Sequence, residues 1–155
     1  MEAKKILIIQ GGGRPNGNTA QLIDSFAKAA DCLVFASPLY FWTVSARIKA
    51  FIERFYCIAE EDPNPPLGRY EKYPIKDCAL LMTSADDFFW TYEQVVSYYQ
   101  FALVNYIGFH DKGILLAGGC GDTNGQAQIS KTQHLDRAYQ FGKNIYPPTY
   151  SYIQK

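Results

Sequence analysis

Four short apolar runs punctuate this chain, with longer amphipathic stretches between them, and that alternation constrains its fold more than any other feature. Residues 5–9 (KILII), 32–36 (CLVFA), 77–83 (DCALLMT) and 112–117 (KGILLA) are nearly continuous in apolar side chains, as strands covered on both faces must be. Between them, Leu22, Ile23 and Phe26 place a stripe on a helix over residues 19–30. Over residues 45–58, Ile48, Phe51, Ile52 and Phe55 recur at steps of three and four among Arg47, Lys49, Glu53 and Arg54, a second amphipathic helix. Residues 88–107 hold Phe88, Phe89, Trp90, Tyr92, Tyr98, Tyr99, Phe101 and Tyr106, and Val95, Tyr99 and Ala102 keep helical spacing. The stretch is too long for one strand, so it predicts a helix, with residues 84–87 (SADD) offering acceptors at its start. A closing helix runs over about residues 131–145, with Leu135, Ala138 and Tyr139 on one face, and Pro147-Pro148 ends it. Strands alternating with helices make an α/β fold with a mainly parallel sheet.

Composition bounds the rest. With 155 residues, 48% of them hydrophobic, the chain is expected to form one domain over residues 1–155. Fifteen Lys and Arg balance fifteen Asp and Glu, so net charge gives no reason to expect a nucleic-acid or membrane-surface partner. No apolar run approaches the roughly 20 residues that span a bilayer, and residues 1–9 lack the apolar core of a secretory signal, which sets a cytoplasmic expectation. Cys32, Cys57, Cys78 and Cys120 are widely spaced without a CxxC pair, and read as buried thiols rather than metal ligands or disulfides. Residues 60–76, with Pro63, Pro65, Pro66, Pro74 and Gly68, make a long irregular loop of the functional or mobile kind.

Ligands of open parallel sheets bind beyond the carboxyl ends of the strands, so the residues just after each run matter most. The first such loop, residues 11–19 (GGGRPNGNT), joins three glycines to the mouth of a helix. Glycines admit an anion to the backbone, the helix start presents free N–H groups, and Asn18 and Thr19 add side-chain donors. A phosphate cradle and a flexible turn with an Asn cap both fit that composition. It is not a P-loop, which needs Gly-Lys-Ser/Thr where Gly17-Asn18-Thr19 stands, and Gly11, Gly13 and Gly17 meet the dinucleotide GxGxxG pattern only loosely. The second loop, Ser37-Pro38-Leu39-Tyr40-Phe41-Trp42, sets three large aromatics in a row beyond a strand, costly in water unless they line a pocket or interface. Beside a phosphate loop, a planar heteroaromatic ligand explains them better than core filling. The loop at residues 83–87 adds polar groups to the same rim, and the glycines at 118–121 read equally as a tight turn. His110 and His134 read as solvated or capping residues. Asp86 and Asp87 are adjacent in sequence and point differently, so they do not form an acid/base pair. With no catalytic side-chain set and no metal-ligand set, the chemistry falls to a bound cofactor.

These residues resemble the flavodoxin-like NAD(P)H-dependent FMN reductase family, which includes flavin, quinone, azo and nitro reductases. The first loop is similar to the family's GSxRxxGNT phosphate loop. The longer and more specific likeness is residues 30–42 (ADCLVFASPLYFW), continuing through Ser45-Ala46 and residues 49–54 (KAFIER) and reaching Gly118-Gly119 and the final helix. The resemblance implies a three-layer α/β/α flavodoxin-like fold around a parallel sheet. It implies bound FMN, with Gly12, Arg14, Asn16, Asn18 and Thr19 around the phosphate. Pro38, Leu39, Tyr40, Phe41 and Trp42 would follow the ribityl chain and isoalloxazine ring, and Thr83, Ser84, Ala85 and Asp86 would form the ring's other neighbour. It also implies NADH or NADPH as hydride donor, a small-molecule electron acceptor, and a homodimer using residues 88–107 and the Pro-rich loop.

Two departures stand out. Gly12 replaces the family's serine, and losing a hydrogen bond to a charged group costs about 1.5–3 kcal/mol where nothing substitutes for it. Relatives also place an edge strand and a helix, a unit of about 30 residues, before the strand that leads into SPLYFW. Here residues 26–29 run straight into residues 30–32, leaving four readable strands and no strand 2. Parallel crossovers are right-handed in about 98% of cases, so a direct step from strand 1 would move the first helix to the opposite face. Either the helix has moved, or residues of a longer protein are missing between the two cofactor loops, and the bared strand edge would be exposed or paired. The expected activity is hydride transfer from NAD(P)H through FMN to a flavin, quinone, nitro or azo acceptor. A one-electron carrier and a non-catalytic binding or assembly module are the alternatives.

Overall fold

A computed structural model describes residues 7–10, 17–18, 21, 32–55, 77–121 and 126–146. Strands β1 (Leu7–Gln10), β2 (Leu33–Pro38), β3 (Asp77–Thr83) and β4 (His110–Ala117) form one parallel sheet in the order β1-β2-β3-β4. Its register pairs Leu7 with Leu33, Leu33 with Cys78, and Pro38 with Thr83, so β2 and β3 finish level. The loops that follow those two strands therefore emerge side by side.

Alternation along the strands sorts the core into two layers, because successive side chains point to opposite faces. Leu33, Phe35, Cys78, Leu80 and Met82 meet Ile48 and Ile52 of helix α1 (Ala46–Arg54) and Val95 and Tyr99 of α2 (Glu93–Tyr99). Val34, Ala36, Ala79, Leu81, Leu115 and Ala117 meet Ala138 of α3 (His134–Asn144) and Ile129 of the 3₁₀ turn Ile129–Lys131. The result is the expected α/β/α arrangement around a parallel sheet. Full burial of side chains such as Val34, Phe35 and Ile48 contributes about 1.5–3 kcal/mol apiece. Cys32, Cys78 and Cys120 are buried, as expected, while Cys57 lies outside the described residues. No helix among the described residues is long and apolar enough to cross a membrane.

Three elements differ from expectation. The helix predicted over residues 88–107 starts only at Glu93, since residues 88–91 close a turn in which the Phe88 N–H donates to Thr91 Oγ1 (3.0 Å) and the Thr91 N–H to the Phe88 carbonyl (3.0 Å). Tyr92 precedes α2 without a side-chain cap, so Asp86 and Asp87 do not cap it. Beyond α2 the coil widens into a π-helix, Gln100–Tyr106, closed by the Ile107 N–H on the Ala102 carbonyl (3.1 Å). Strand β4 begins at His110 and bulges where Cys78 pairs with Asp111 but Leu80 with Ile114. Gly113 absorbs that bulge with φ +120°, its N–H donating to Asp111 Oδ1 (2.8 Å), and a Cβ there would come within 2.9 Å of Phe141. The predicted helix over residues 19–30 is described only at Gln21, whose N–H donates to the Gly17 carbonyl (3.1 Å). The expected change of helix face, the Pro-rich loop and the aromatic tail fall outside the described residues.

Candidate functional site

The level ends of β2 and β3 deliver two aromatic triplets to one rim: Tyr40-Phe41-Trp42 and Phe88-Phe89-Trp90. The first sits on a two-residue hairpin, in which Tyr40 and Thr43 exchange backbone hydrogen bonds of 3.0 and 3.1 Å. Both residues at its tip are left-handed, Phe41 at φ 47° and Trp42 at φ 60°, a conformation that such turns normally fill with Asn and Gly. Bulky side chains cost roughly 1–2 kcal/mol each there. The base of the hairpin is held from below. Ser37 Oγ accepts the Ser45 N–H (2.8 Å) and the Leu39 N–H donates to the Thr83 carbonyl (2.7 Å).

The second triplet faces the first. Trp42 and Trp90 have ring centres 5.9 Å apart, and Phe88 stacks on Trp90 at 5.6 Å and 7°. Leu39, Phe41, Trp42, Ser84, Ala85, Asp86, Trp90 and Thr91 line a cleft of about 500 Å³, counting the solvent at its mouth. Phe41 and Phe89 are 90% and 91% exposed, which places two large apolar side chains in water.

The cleft floor is rigid because its polar groups are spent on one another. Ser84 Oγ donates to the Asp86 carbonyl, so the Tyr92 hydroxyl must donate to Ser84 Oγ (2.6 Å). Burial pushes the Tyr92 hydroxyl up to about 12, and it stays a donor at neutral pH. The Ser84 carbonyl accepts the Cys120 N–H (2.8 Å) and the Asp86 carbonyl accepts the Gly119 N–H (3.3 Å), joining this loop to the one after β4. Gly118 is glycine for room, since a Cβ there would lie 2.2 Å from Asp87 Oδ1. Burial first, and Asp87 second, push the Cys120 thiol up, which keeps it protonated and poorly nucleophilic. His134 Nε2 donates to the Gly118 carbonyl (3.0 Å), and its Nδ1 accepts from Arg137 (3.1 Å), an arrangement that suits the neutral Nε2–H tautomer. His134 thus closes the Gly118 loop, while His110 lies at the other end of the sheet, 3.3 Å from Asp77. Among the described residues no cluster of three His, Cys, Asp or Glu could hold a metal ion.

Of the residues singled out in the sequence, Leu39, Phe41, Trp42, Ser84, Ala85 and Asp86 converge on the cleft. Pro38 ends β2, Thr83 is buried at the end of β3, and Tyr40 forms the hairpin's shoulder, so these three support the lining without joining it. Gly12, Arg14, Asn16 and Thr19 lie outside the described residues. Asn18 is described, and its side chain is engaged elsewhere: Nδ2 donates to the Cys120 carbonyl (2.5 Å) and Oδ1 accepts the Ile129 N–H (3.1 Å). It ties the start of its helix to the loop behind the cleft, two hydrogen bonds from Ser84. Trp90 and Thr91 are lining residues that the sequence reading assigned to a helix. Their signal was the same as that of Tyr40-Phe41-Trp42, an aromatic triplet just past a strand.

No protein-family model and no curated protein matches this chain. Solved structures do. The Trp repressor binding protein of Bacillus subtilis superposes with a TM-score of 0.70 at 23% identity, over 88% of this chain and 97% of that one. An NAD(P)H:quinone oxidoreductase from Methanothermobacter marburgensis gives 0.65 at 13% identity, over 94% and 98% of the two chains. RosB, solved with 8-demethyl-8-formylriboflavin-5′-phosphate bound, gives 0.65 at 16% identity, over 92% and 77%. These likenesses establish a flavodoxin-like fold.

Proposed function

We propose that this protein is an FMN-dependent oxidoreductase that passes hydride from NADH or NADPH to a small acceptor such as a quinone, nitro compound, azo compound or free flavin. One observation carries the reading: a cleft lined by Phe41, Trp42 and Trp90 at the carboxyl ends of adjacent parallel strands, with two strained left-handed residues on its rim. Strain of that kind persists where the surrounding structure enforces it, and it gathers at ligand sites. The cleft's aromatic walls suit a flat ring, and among the described residues the Ser84 and Tyr92 hydroxyls and the Cys120 thiol are engaged in hydrogen bonds. Bound FMN supplies a two-electron store that a nicotinamide fills and an acceptor empties.

Within that reading the chain's own residues bind and orient. Leu39, Trp42 and Trp90 line the cleft and would shield a ring bound there from water. The loop 84–86, locked by Tyr92, Cys120 and Gly119, presents a fixed main-chain edge rather than one that must reorganise. Asn18 is anchored on Cys120 behind the same rim, and Gly12, Arg14, Asn16 and Thr19 would meet the phosphate. Two structural neighbours, a quinone oxidoreductase and a protein solved with a flavin phosphate bound, support the assignment. A homodimer belongs to the same proposal, with exposed Phe89 and Phe101 as its contact surface. The test is reconstitution: purified protein incubated with FMN and freed of excess should be yellow and should oxidise NAD(P)H when an acceptor is added. Protein that stays colourless and inert would sink the proposal.

A further inference from the structure

The cleft has a charge as well as a shape. Asp86 is its one acidic lining residue, no Lys, Arg or His lines it among the described residues, and Asp87 lies beside it against Gly118. Both aspartates are exposed, and among the described residues neither carboxylate has a hydrogen-bond or ion-pair partner. The described cation acting on the same loops, Arg137, is on α3 and donates to His134 instead of lining the cleft. Trp42 and Trp90 line the same cleft as Asp86. Indole faces attract cations through their negative quadrupole, and an adjacent unneutralised carboxylate adds to that attraction.

We infer that this site selects its aromatic acceptor by the charge on the ring: planar aromatic cations are preferred over rings that carry a sulfonate or carboxylate directly. The inference rests on the oxidoreductase reading for calling the ligand an acceptor, but its measurement is binding and needs no turnover. It narrows the acceptor class from any flat ring to a cationic one, with neutral rings intermediate.

The chain supplies its own probe, because its two tryptophans are Trp42 and Trp90, and both line the cleft. N-methylacridinium and acridine-9-carboxylate are tricyclic rings of similar size and opposite charge. Each is titrated into flavin-free protein by tryptophan emission, and into FMN-loaded protein by calorimetry. The cation is expected to bind at least about tenfold more tightly, and raising salt from about 0.01 M to about 0.5 M should erase most of the difference. Asp86→Asn combined with Asp87→Asn should bring the two affinities within about threefold of each other, and the salt series keeps the test valid if that variant misfolds. Equal affinities, tighter binding of the anion, or a preference indifferent to salt would overturn the inference. A protein that binds FMN yet shows no charge preference contradicts this inference alone. One that prefers the cation but never takes up FMN contradicts the oxidoreductase reading instead.

Discussion

Phe41 and Trp42 show how a single residue's backbone can disclose a site. Aromatic side chains in left-handed conformations at a hairpin tip, one of them 90% exposed, cost stability, and nothing in the core recovers it. Phe41→Asn, which suits the left-handed tip and gives up little packing, should therefore raise stability by about 0.5–1 kcal/mol in urea unfolding of the flavin-free protein. The same change should weaken binding of FMN, because it removes one wall of the cleft. If Phe41→Asn instead destabilises the fold, the ring is a packing residue and the strain argument is wrong. Little of this was legible in the sequence. Three consecutive aromatics announced a wall, but only the φ angles reveal that holding them in place is unfavourable. Phe88-Phe89-Trp90 carried the same message and was read as helix, since Val95, Tyr99 and Ala102 at helical spacing drew the predicted boundary five residues too early. A Thr91 side chain bonded to the Phe88 N–H halts the chain there, and no periodicity encodes that contact.

At the scale of elements the strands were the most legible. Their apolar runs gave β3 its full extent and β2 to within two residues, because burial on both faces leaves a continuous signature. The π-helix Gln100–Tyr106 was not legible, since aromatic and aliphatic residues fit a coil of either pitch. Contacts between loops were also hidden. Asn18 looked like a phosphate donor by its place in the glycine loop, whereas its amide joins the helix start to the loop after β4 and to the 3₁₀ turn before α3. Both of its partners, Cys120 and Ile129, belong to the core layer under α3. Asn18→Ala should cost about 1–3 kcal/mol, since it strands a partly buried carbonyl and an N–H. Asn18→Asp should be no better, because its carboxylate would face the Cys120 carbonyl. Thermal unfolding of the two variants checks this, and an unchanged midpoint for both would show that the tie carries no stability.

The whole molecule separates its work between the two ends of the sheet. At the amino end, Asp77 at the start of β3 accepts from the Tyr146 hydroxyl just past α3 and lies 3.5 Å from Lys112 and 3.3 Å from His110. Burial alone would push the Asp77 carboxyl up, but Tyr146, Lys112 and His110 together hold it below the ordinary carboxylate range. A carboxyl lowered on folding stabilises the fold above its unfolded value of about 3.9 and loses that contribution as pH falls through the lower folded value. The wild type should therefore lose more urea resistance between pH 6 and about pH 3 than Asp77→Asn does. Equal losses would show that Asp77 does not anchor this end. The carboxyl end of the sheet is where two aromatic triplets, an acidic rim and a strained hairpin meet, and the account stands on what that end binds. The most direct measurement is a titration of the purified protein with FMN, followed by tryptophan emission, because Trp42 and Trp90 are the chain's two tryptophans and both line the cleft. Saturable quenching with one FMN per chain is expected, accompanied by a perturbed flavin absorption band. Emission that declines only in proportion to added FMN, with an unperturbed flavin spectrum, would contradict it.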